Sequence, residues 1–405
     1  MSKSLRILYV VPNYPNSART AAEVRSSQLA NLLDERVELL VASFSSSGEF
    51  DPGSNTSVVS LPKKRTSALS YLRNLFNKLP RIFTPYRTKE SIEVLRKTIA
   101  EFKPDLVHLD TMALTGLAID LETQSVLLHT HDACSRKFAS WIEASDSLVR
   151  KADFAFQHKK IQRFENRVFP KAAACVVDSE EDRTYLEEQT GAVVRLLPLG
   201  FDPLEFDSKG SKIDLGESSV VFSGSMSSTQ SVVAAKMLVT QIMPKVWLSH
   251  PTTQLYLVGS DPSPELLKLA EQTDRVHVTG FVPSLSEYLR SCDVYVCPLT
   301  VGGGMRTRLV EALACGCAIV ASENATTGLK ENSTDEKPWL LGESANDYSR
   351  AISDLLSNSE LRTSFKERSH AYAHGNYAWS AVADDLVTNY QSLLDQSRAT
   401  STRCS

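Results

Sequence analysis

The chain has 405 residues, of which 42% are hydrophobic and 23% are charged, and its formal net charge is −4. This length exceeds one ordinary domain, so two domains are expected, and the composition is typical of a globular protein. The slight acidic excess argues against general nucleic-acid binding, and no apolar run reaches the roughly 20 residues that cross a bilayer.

The first half of the chain alternates short apolar runs with helical patterns. Leu5–Val11 is predicted to be a strand, followed by a turn and by a helix over Ala21–Leu33. This opening unit has a Rossmann-like form, but its loop lacks G-x-G-x-x-G, so dinucleotide binding is not supported. Trp141–Phe169 is predicted to be helical, in two pieces, and the further strands are predicted at Val37–Ala42, Asp105–Leu109, Ser125–His129, Ala174–Asp178 and Val193–Leu197.

Features of the N-terminus and of the cysteines indicate a cytoplasmic protein. The apolar core of MSKSLRILYVVPNYP is short and ends in a proline-rich turn without a cleavage site, so it is interpreted as a strand rather than a signal peptide. The seven cysteines are scattered and odd in number, which favours free thiols in a reducing compartment. Cys315 and Cys317 have no partners at metal-ligand spacing, so no metal site is expected.

Two places in the first half carry candidate functional side chains. Arg25 lies on the first predicted helix above the loop, where an exposed arginine is more often simply solvated. Residues 129–132 read HTHD at the end of a predicted strand, and the carboxyl ends of parallel strands line the ligand crevice. His131 and Asp132 are therefore candidates, although a structural role for His131 is equally compatible with the pattern.

A basic segment over residues 62–89 carries eight lysines and arginines and no acidic residue. Leu72, Leu75, Phe76 and Leu79 follow helical spacing, which predicts a basic amphipathic helix. One interpretation is a surface helix whose apolar side covers the domain. The other is a peripheral contact with an anionic membrane or a lipid-linked substrate.

The second half begins a new alternating series after a polar stretch, 205–219, that is typical of a linker. Glycine follows three consecutive strands, as Gly224-Ser225, Gly259 and Gly280, which leaves open backbone along one sheet edge. The predicted strands are Val220–Ser223, Leu255–Val258, Val276–Thr279, Val294–Cys297 and Ala318–Ala321, and the tail over Ser344–Leu394 has a helical pattern.

The most informative stretch is residues 292–322, CDVYVCPLTVGGGMRTRLVEALACGCAIVAS. It predicts a strand, a loop containing Gly302, Gly303 and Gly304, a helix that stops at Gly316, and a second strand. Such a loop presents backbone N–H groups and a helix N-terminus at one point. This arrangement suits a phosphate.

Three side chains refine this expectation. Arg306 and Arg308 add cations beside the loop, and Glu311 shares a helix face with Arg308 because it lies three residues later. A carboxylate next to an anion site is better suited to a vicinal diol such as a ribose, from which it accepts two hydrogen bonds. The stretch therefore predicts a site for a nucleotide diphosphate.

Taken together, these motifs resemble the GT-B-fold retaining glycosyltransferases of family 4 (glycosyl transferases group 1) across nearly the whole chain. GGGMRTRLVEALACGCAIVAS is similar to the glycine-rich loop and L-E-A helix of that family, and VVFSGSM, LYLVGSDP, VHVTGFV and LRSCDVYVCPL resemble its preceding strands. LPLGFD, HTHDACS and DSEEDRTYL resemble further motifs of the family. The combination is specific, whereas each piece alone is not, apart from the Glu311 helix.

The resemblance implies an α/β fold with two tandem Rossmann-like, doubly wound parallel-sheet domains facing each other across a cleft. The expected divisions are an acceptor-binding domain over 1–202, a linker over 203–218, a nucleotide-sugar-binding domain over 219–376 and a C-terminal helix over 377–405 that packs back on the first domain.

The resemblance also implies roles for individual residues. Glu311 would bind the donor ribose, Arg308 with Arg306 would neutralise the leaving diphosphate, and His131 would reach the transferred sugar. The implied catalytic set is thus His131, Arg308 and Glu311, with Arg25 and Asp132 on the acceptor side. The implied donor-binding set is Gly224, Ser225, Val282, Gly303, Gly304, Met305, Arg306, Arg308 and Glu311.

The sequence also departs from the family pattern. Gly303 stands where many members have a second glutamate, and SGSMSSTQS lacks the arginine and lysine that commonly follow the first glycine of the second domain. Arg306 and Arg308 are expected to replace them. No D-x-D motif follows a strand, so a metal-independent enzyme with no cofactor other than its nucleotide-sugar co-substrate is expected.

The resulting functional prediction is retaining transfer of a sugar from a nucleotide-diphosphate sugar to a hydroxyl acceptor, lipid-linked or not, in cell-surface glycan, glycolipid or natural-product glycoside synthesis. The enzyme would be cytoplasmic, or peripheral at the inner face of the membrane. The alternatives are a non-catalytic nucleotide-sugar-binding subunit and a sugar-nucleotide epimerase of the same twin-domain plan.

Overall fold

A computed structural model describes residues 5–13, 21–44, 57–64, 77–121, 125–145, 147–271, 273–300, 307–330 and 336–403. The chain divides into two compact units. The first comprises Met1–Pro198 with Val382–Ser405, and the second comprises Leu199–Ala381. Residues 203–218, expected as a linker, lie within the second unit, where Phe206 and Leu215 are buried.

The first unit is built on a seven-stranded sheet in the order β3-β2-β1-β4-β5-β6-β7, with every neighbouring pair parallel. Its central strands are near-continuous apolar runs because both of their faces are covered. The strands are β1 Arg6–Val11, β2 Glu38–Ser43, β3 Ser57–Ser60, β4 Leu106–Asp110, β5 Val126–His131, β6 Ala174–Val177 and β7 Val194–Leu196.

Helices connect these strands and cover the sheet. Ser179 caps the helix Glu180–Thr190 by accepting a hydrogen bond from the Asp182 amide, as the serine followed by acidic residues predicts. The α-helices are α1 Ala21–Asp34, α2 Lys89–Phe102, α3 Met112–Thr115, α4 Cys134–Ala144, α5 Leu148–Val168 and α6 Glu180–Thr190, with 3₁₀ turns at Arg81–Phe83, Gly116–Asp120 and Phe169–Lys171.

The second unit has a six-stranded parallel sheet in the order β10-β9-β8-β11-β12-β13. Its strands are β8 Ser219–Ser223, β9 Gln254–Val258, β10 Val276–Gly280, β11 Val294–Cys297, β12 Ala318–Ala321 and β13 Trp339–Leu341. Its helices are α7 Thr229–Met237, a π turn Leu238–Ile242, α8 Met243–Ser249, α9 Pro264–Ala270, α10 Leu285–Ser291, α11 Thr307–Ala314, α12 Glu323–Thr326, α13 Ala345–Ser357 and α14 Ser359–Tyr377. Helix α15, Trp379–Arg403, begins in this unit and continues into the first.

The predicted α/β architecture with two parallel sheets is confirmed, with three differences in detail. The strands β3 (SVVS) and β13 (WLL) were not predicted, because only two or three consecutive apolar residues mark them. The first helix of the pair predicted from Trp141 begins instead at Cys134. The amphipathic helix expected around Leu72–Leu79 falls mostly on residues 65–76, outside the described residues, and residues 77–80 are not helical.

Candidate active site

The strand order of the first unit reverses between β1 and β4, and ligands of open parallel sheets bind at the carboxyl ends of strands at such a switch point. There β4 ends in Asp110, β5 ends in His131, and Asp178 follows β6. Because all three strands are parallel, these side chains meet at one edge of the sheet.

Asp110 lies at the centre of this cluster and is fully buried. Its Oδ2 accepts hydrogen bonds of 2.6 Å from the Tyr9 hydroxyl and the Ser26 hydroxyl, and its Oδ1 lies 2.9 Å from Nε2 of His131. Burial alone would raise the pKa of Asp110, but the contact with His131 and the nearby histidines lower it well below its usual range. The carboxylate is therefore a fixed negative charge.

His131 has a backbone conformation that residues other than glycine rarely adopt. The pairing of β5 with β6 shifts register between His129 and His131, and His131 has a φ of +67°. Thr111, at the end of the neighbouring β4, has a φ of +81°. Two such residues at adjacent strand ends mark a functional-site candidate, because backbone strain persists only where the surroundings enforce it.

The charge state of His131 follows from its neighbours. Burial and the charge of Arg25 lower the pKa of His131. Asp110 and Asp178 raise it by more than this, so that the pKa rises from 6.5 to about 9. The side chain keeps 16% of its surface exposed. His131 is therefore an imidazolium at neutral pH, able to donate a hydrogen bond but not to act as a general base.

Arg25 is almost completely buried beneath this cluster. It donates to Asp178 Oδ2 at 2.7 Å and to the Leu197 carbonyl at 3.3 Å, and its Nη2 lies 3.0 Å from Nε2 of His129. Burial raises the pKa of Asp178, but the Arg25 charge and the histidines lower it well below the usual range. Two cations, Arg25 and His131, thus balance two carboxylates, Asp110 and Asp178.

A buried hydrogen-bond chain continues from Arg25 to the C-terminal helix. Because an arginine only donates, His129 must accept at Nε2, so the proton of its neutral ring is on Nδ1. His129 Nδ1 lies 3.3 Å from Nε2 of His108, whose Nδ1 lies 2.6 Å from the hydroxyl of Tyr390. The chain of donors therefore runs from Arg25 through His129 and His108 to Tyr390, and burial lowers the pKa of both histidines, that of His129 to about 4.

The same assignment bears on metal binding in the first unit. His108, Asp110 and His129 have ligating atoms within 4.8 Å of one another, as do His129, His131 and Asp178. However, one nitrogen of His129 accepts from Arg25 and the other faces His108. A shared cation would have to displace these contacts, so the cluster is better described as a closed ion-pair network.

The strand order of the second unit reverses between β8 and β11, and two glycines allow close packing at this point. Gly224 follows β8 with a φ of +149°, and Gly259 follows β9 with a φ of +150°. A Cβ atom on Gly259 would lie 1.8 Å from the Gly224 carbonyl oxygen, and one on Gly224 would lie 2.3 Å from Nη1 of Arg308. A side chain at Gly259 would therefore clash with backbone, whereas one at Gly224 would displace the Arg308 guanidinium, and the positive φ disfavours other residues at both positions.

Helix α11 places Arg308 at this switch point. Leu309 and Leu313 are buried in the core, and the opposite side of the helix carries Arg308 towards the end of β8. Nη1 of Arg308 donates to the Ser223 carbonyl and to the Ser231 hydroxyl, both at 3.0 Å. The guanidinium is only partly buried, so its remaining N–H groups can serve an anion.

Glu311 lies one turn further along α11. Burial and the charge of Glu205 raise the pKa of its carboxyl group from the ordinary value of 4.5 to about 7, although Arg308 opposes the shift. A carboxyl group half ionised at neutral pH is poised to ionise when hydroxyl donors approach it.

The other predicted site residues have different surroundings. Gly303, Gly304, Met305 and Arg306, like Gly302, lie outside the described residues. Ser225 is exposed and contacts the Ser227 hydroxyl, Val282 packs partly buried against the core of the second unit, and Asp132 pairs with Lys137 rather than with the His131 cluster.

Sequence reasoning missed several members of the first cluster. The missed residues are Tyr9, Ser26, His108, Asp110, His129, Asp178 and Tyr390. One signal was present, since β4, β5 and β6 all end in or are followed by a charged or titratable residue, as HLD, HTH and VVD. Tyr390 had no such signal, because it lies 282 residues from its partner His108.

Comparison with known proteins identifies the second unit. Residues 217–358 match the family model described as glycosyl transferases group 1. The second unit thus contains a domain that is similar to the group 1 glycosyl transferases. The matched region of the group 1 domain contains Gly224, Gly259, Arg308 and Glu311.

Similar proteins extend this result to the fold of the whole chain. The match to sucrose-phosphate synthase from Thermosynechococcus elongatus spans 97% of this chain and 100% of that chain, with 18% identity and a TM-score of 0.61. The match to HepE from Anabaena, solved in complex with UDP and glucose, spans 96% of this chain and 100% of that chain, with 16% identity and a TM-score of 0.56. These likenesses confirm the GT-B type of fold, with two parallel-sheet α/β domains.

Among curated proteins, the phosphatidyl-myo-inositol mannosyltransferase of Mycolicibacterium smegmatis is 26% identical over 154 residues, which are 37% of this chain and 40% of that protein. The matched region thus spans less than half the length of this curated relative. Among the described residues, no helix is both long and apolar enough to cross a membrane.

Proposed function

We propose that this chain is a group 1 glycosyl transferase that moves a sugar from a nucleotide-diphosphate sugar to a hydroxyl acceptor, with retention of anomeric configuration and without a catalytic metal. The observation that carries the proposal is the pairing of Arg308 and Glu311 on one helix, beside two glycines, within the domain that matches the family. HepE, a protein of the same fold, has been solved with UDP and glucose.

In this proposal Arg308 and Glu311 bind opposite ends of the donor's nucleotide diphosphate. Arg308 stabilises the charge that grows on the diphosphate as the glycosidic bond breaks, and charge-assisted hydrogen bonds are suited to that purpose. Glu311 accepts hydrogen bonds from the ribose hydroxyls, which favour its ionised form. Arg306 and the backbone of residues 303–305 would complete the diphosphate site.

The first cluster supports a retaining mechanism without a protein nucleophile. Asp110 already accepts from Tyr9 and Ser26 and contacts His131, and Asp178 accepts from Arg25. Both carboxylates are engaged in ion pairs, so we assign neither as a nucleophile. We therefore assign His131 as a hydrogen-bond donor to the transferred sugar, and the departing phosphate as acceptor of the proton from the attacking hydroxyl.

For the acceptor we propose a lipid-linked molecule reached at a membrane surface. A cavity of about 750 Å³ on the first unit is lined by both cationic and apolar side chains. Its lining includes Lys78, Lys159, Lys160, Arg163 and Arg167, with Leu79, Ile119, Phe156 and Phe164. Such a lining suits an anionic amphiphile, and a curated relative is named for a phosphatidylinositol acceptor.

Two arginines of the basic segment 62–89 form ion pairs within the first unit and are therefore not available to a membrane. Arg81 forms a two-point ion pair with Asp153, and Arg87 forms one with Asp120. These pairs hold the segment against the first unit. Lys159 and Arg163 of α5 are therefore the better positions to test, by co-sedimentation with anionic and neutral vesicles before and after charge reversal.

The decisive experiment measures turnover by the purified full chain in EDTA, with UDP, GDP and dTDP sugars and candidate acceptors. We expect transfer from one donor class, product of the donor's own anomeric configuration by NMR, and heavy loss of turnover in Arg308→Ala. Epimerised donor without acceptor would show the epimerase alternative, and donor binding without transfer or hydrolysis would show a non-catalytic subunit.

A further inference from the structure

Asp207, His370 and His374 lie together in the second unit, and no step of the proposed sugar transfer uses them. Their ligating atoms are all within 4.8 Å of one another. His370 Nε2 is 3.4 Å from Asp207 Oδ1. In a tetrahedral zinc site with metal–ligand bonds of about 2.0–2.1 Å, neighbouring ligand atoms lie about 3.3 Å apart. The observed separation matches this spacing, and the two atoms are close enough to share one ion.

The two histidines are four residues apart on α14, so they occupy the same face on successive turns. Their rings are stacked, with centroids 4.0 Å apart and planes inclined by 28°. Nε2 of each ring is buried and has no hydrogen-bond partner among the described residues. A histidine pair at this spacing is a common zinc-binding arrangement.

The contacts around the cluster resemble those that orient metal ligands. The Ala314 carbonyl lies beside the His374 ring, whose buried Nε2 has no hydrogen-bond partner among the described residues. Ala314 is the last residue of α11, where the negative end of the helix dipole favours a cation. The Lys209 amide and the Ser208 hydroxyl donate to Asp207 Oδ1 and fix the carboxylate.

We propose that Asp207, His370 and His374 bind one divalent transition-metal ion of the zinc type, which ties the 202–213 segment to helix α14. Two imidazoles, one carboxylate and a solvent molecule would complete a tetrahedral shell. The ion would be structural, and the proposal does not depend on the identity of the sugar-transfer reaction.

Neighbouring charges bear on the expected affinity. His370 also lines a cavity of about 340 Å³ with Lys212, Arg290, Lys366 and Glu367. Arg290 is tied to backbone carbonyls, and Lys366 donates to the Cys292 carbonyl. These cations oppose a bound divalent ion, so the affinity should be micromolar rather than that of a four-ligand zinc site.

The test is calorimetric titration of ZnCl₂ into the EDTA-treated full chain, with thermal melting in parallel. We expect one Zn²⁺ per chain, a higher melting temperature with the ion, and at least tenfold weaker binding in His370→Ala and in His374→Ala. Co²⁺ should produce the intense visible absorption of a tetrahedral site in the wild type and lose it in His370→Ala.

Two control variants separate this cluster from other histidines. His250→Ala removes a ring that contacts Ser357 elsewhere in the second unit, and His131→Gln removes one member of the competing cluster in the first unit. Both should bind Zn²⁺ as the wild type does. Unchanged binding by a folded His370→Ala chain, loss of binding in His131→Gln, or no binding by the wild type would overturn the proposal.

Discussion

Replacing Glu311 with glutamine should stabilise the second unit at alkaline pH and weaken binding of the nucleotide donor. Partial burial and the charge of Glu205 raise the pKa of the Glu311 carboxyl from 4.5 to about 7. The folded chain thus holds this proton more tightly than the unfolded chain, so the carboxyl group costs stability as the pH rises from 4.5 to 7. The full cost above pH 7 is about 3 kcal/mol. Glutamine removes the charge and the cost.

The pH dependence makes this prediction specific. At pH 5.5 most of the folded chain is protonated at Glu311, and the residual cost is about 1 kcal/mol. The stabilisation by Glu311→Gln should therefore grow by about 2 kcal/mol between pH 5.5 and pH 8. Urea unfolding followed by tryptophan fluorescence suits the measurement, because Trp247, Trp339 and Trp379 lie in the second unit. Glu271→Gln, at an exposed position, is the matched control and should show no such growth.

Donor binding should be weakened by Glu311→Gln, whereas stability is increased. If the ribose hydroxyls donate to the ionised carboxylate, the wild-type affinity should fall up to tenfold per pH unit below about 7, and the glutamine variant should bind weakly at every pH. Parallel stability profiles for variant and wild type would refute the raised pKa of Glu311. Tight binding by the variant would refute the ribose role while leaving the stability argument intact.

Three further predictions concern glycine packing, the buried chain and the imidazolium. Gly224→Ala should weaken donor binding at least tenfold, because its Cβ would meet the Arg308 guanidinium at 2.3 Å and displace it. Gly375→Ala is the control: its Cβ would meet nothing within 4 Å, so binding should be unchanged in the same titration. Tyr390→Phe leaves the His108 Nδ1–H without its acceptor and should cost about 1–3 kcal/mol in urea unfolding; an unchanged midpoint would show that the assigned chain of donors is wrong. The pKa of His131 is raised from 6.5 to about 9, so the stability that its charge contributes is complete below pH 6.5 and is lost by about pH 9. Over that interval the free energy of unfolding of the wild type should fall by about 3 kcal/mol more than that of His131→Gln. Urea unfolding followed by circular dichroism measures this difference.

Much of the secondary structure and part of the second site were predictable from sequence. Apolar runs identify buried parallel strands because both faces are covered, and Gly316 ends α11 with a φ of +69°, as a helix C-cap glycine does. The six cysteines among the described residues are buried and outside disulfides, as predicted. Local patterns suffice for these features because neighbouring residues along the chain determine them.

The roles of Arg25 and Asp132 show where local patterns fail. As sequence positions, Arg25 is a helix residue and Asp132 follows a histidine at a strand end. In the structure Arg25 is buried against Asp178, 153 residues away, whereas Asp132 pairs with Lys137, five residues away. Only the packing of α1 against the sheet distinguishes the buried charge from the exposed one.

The sequence by itself determined that the chain has two parallel α/β units and that Arg308 and Glu311 share a helix face, because helical and strand periodicity are local properties. Tertiary structure decided the ionisation of both sites. It half-buries Glu311 near Glu205, places His131 between Asp110 and Asp178, and brings Tyr390 to His108. Charge states depend on burial and on neighbours distant in sequence, and these follow only from the order in which the strands assemble.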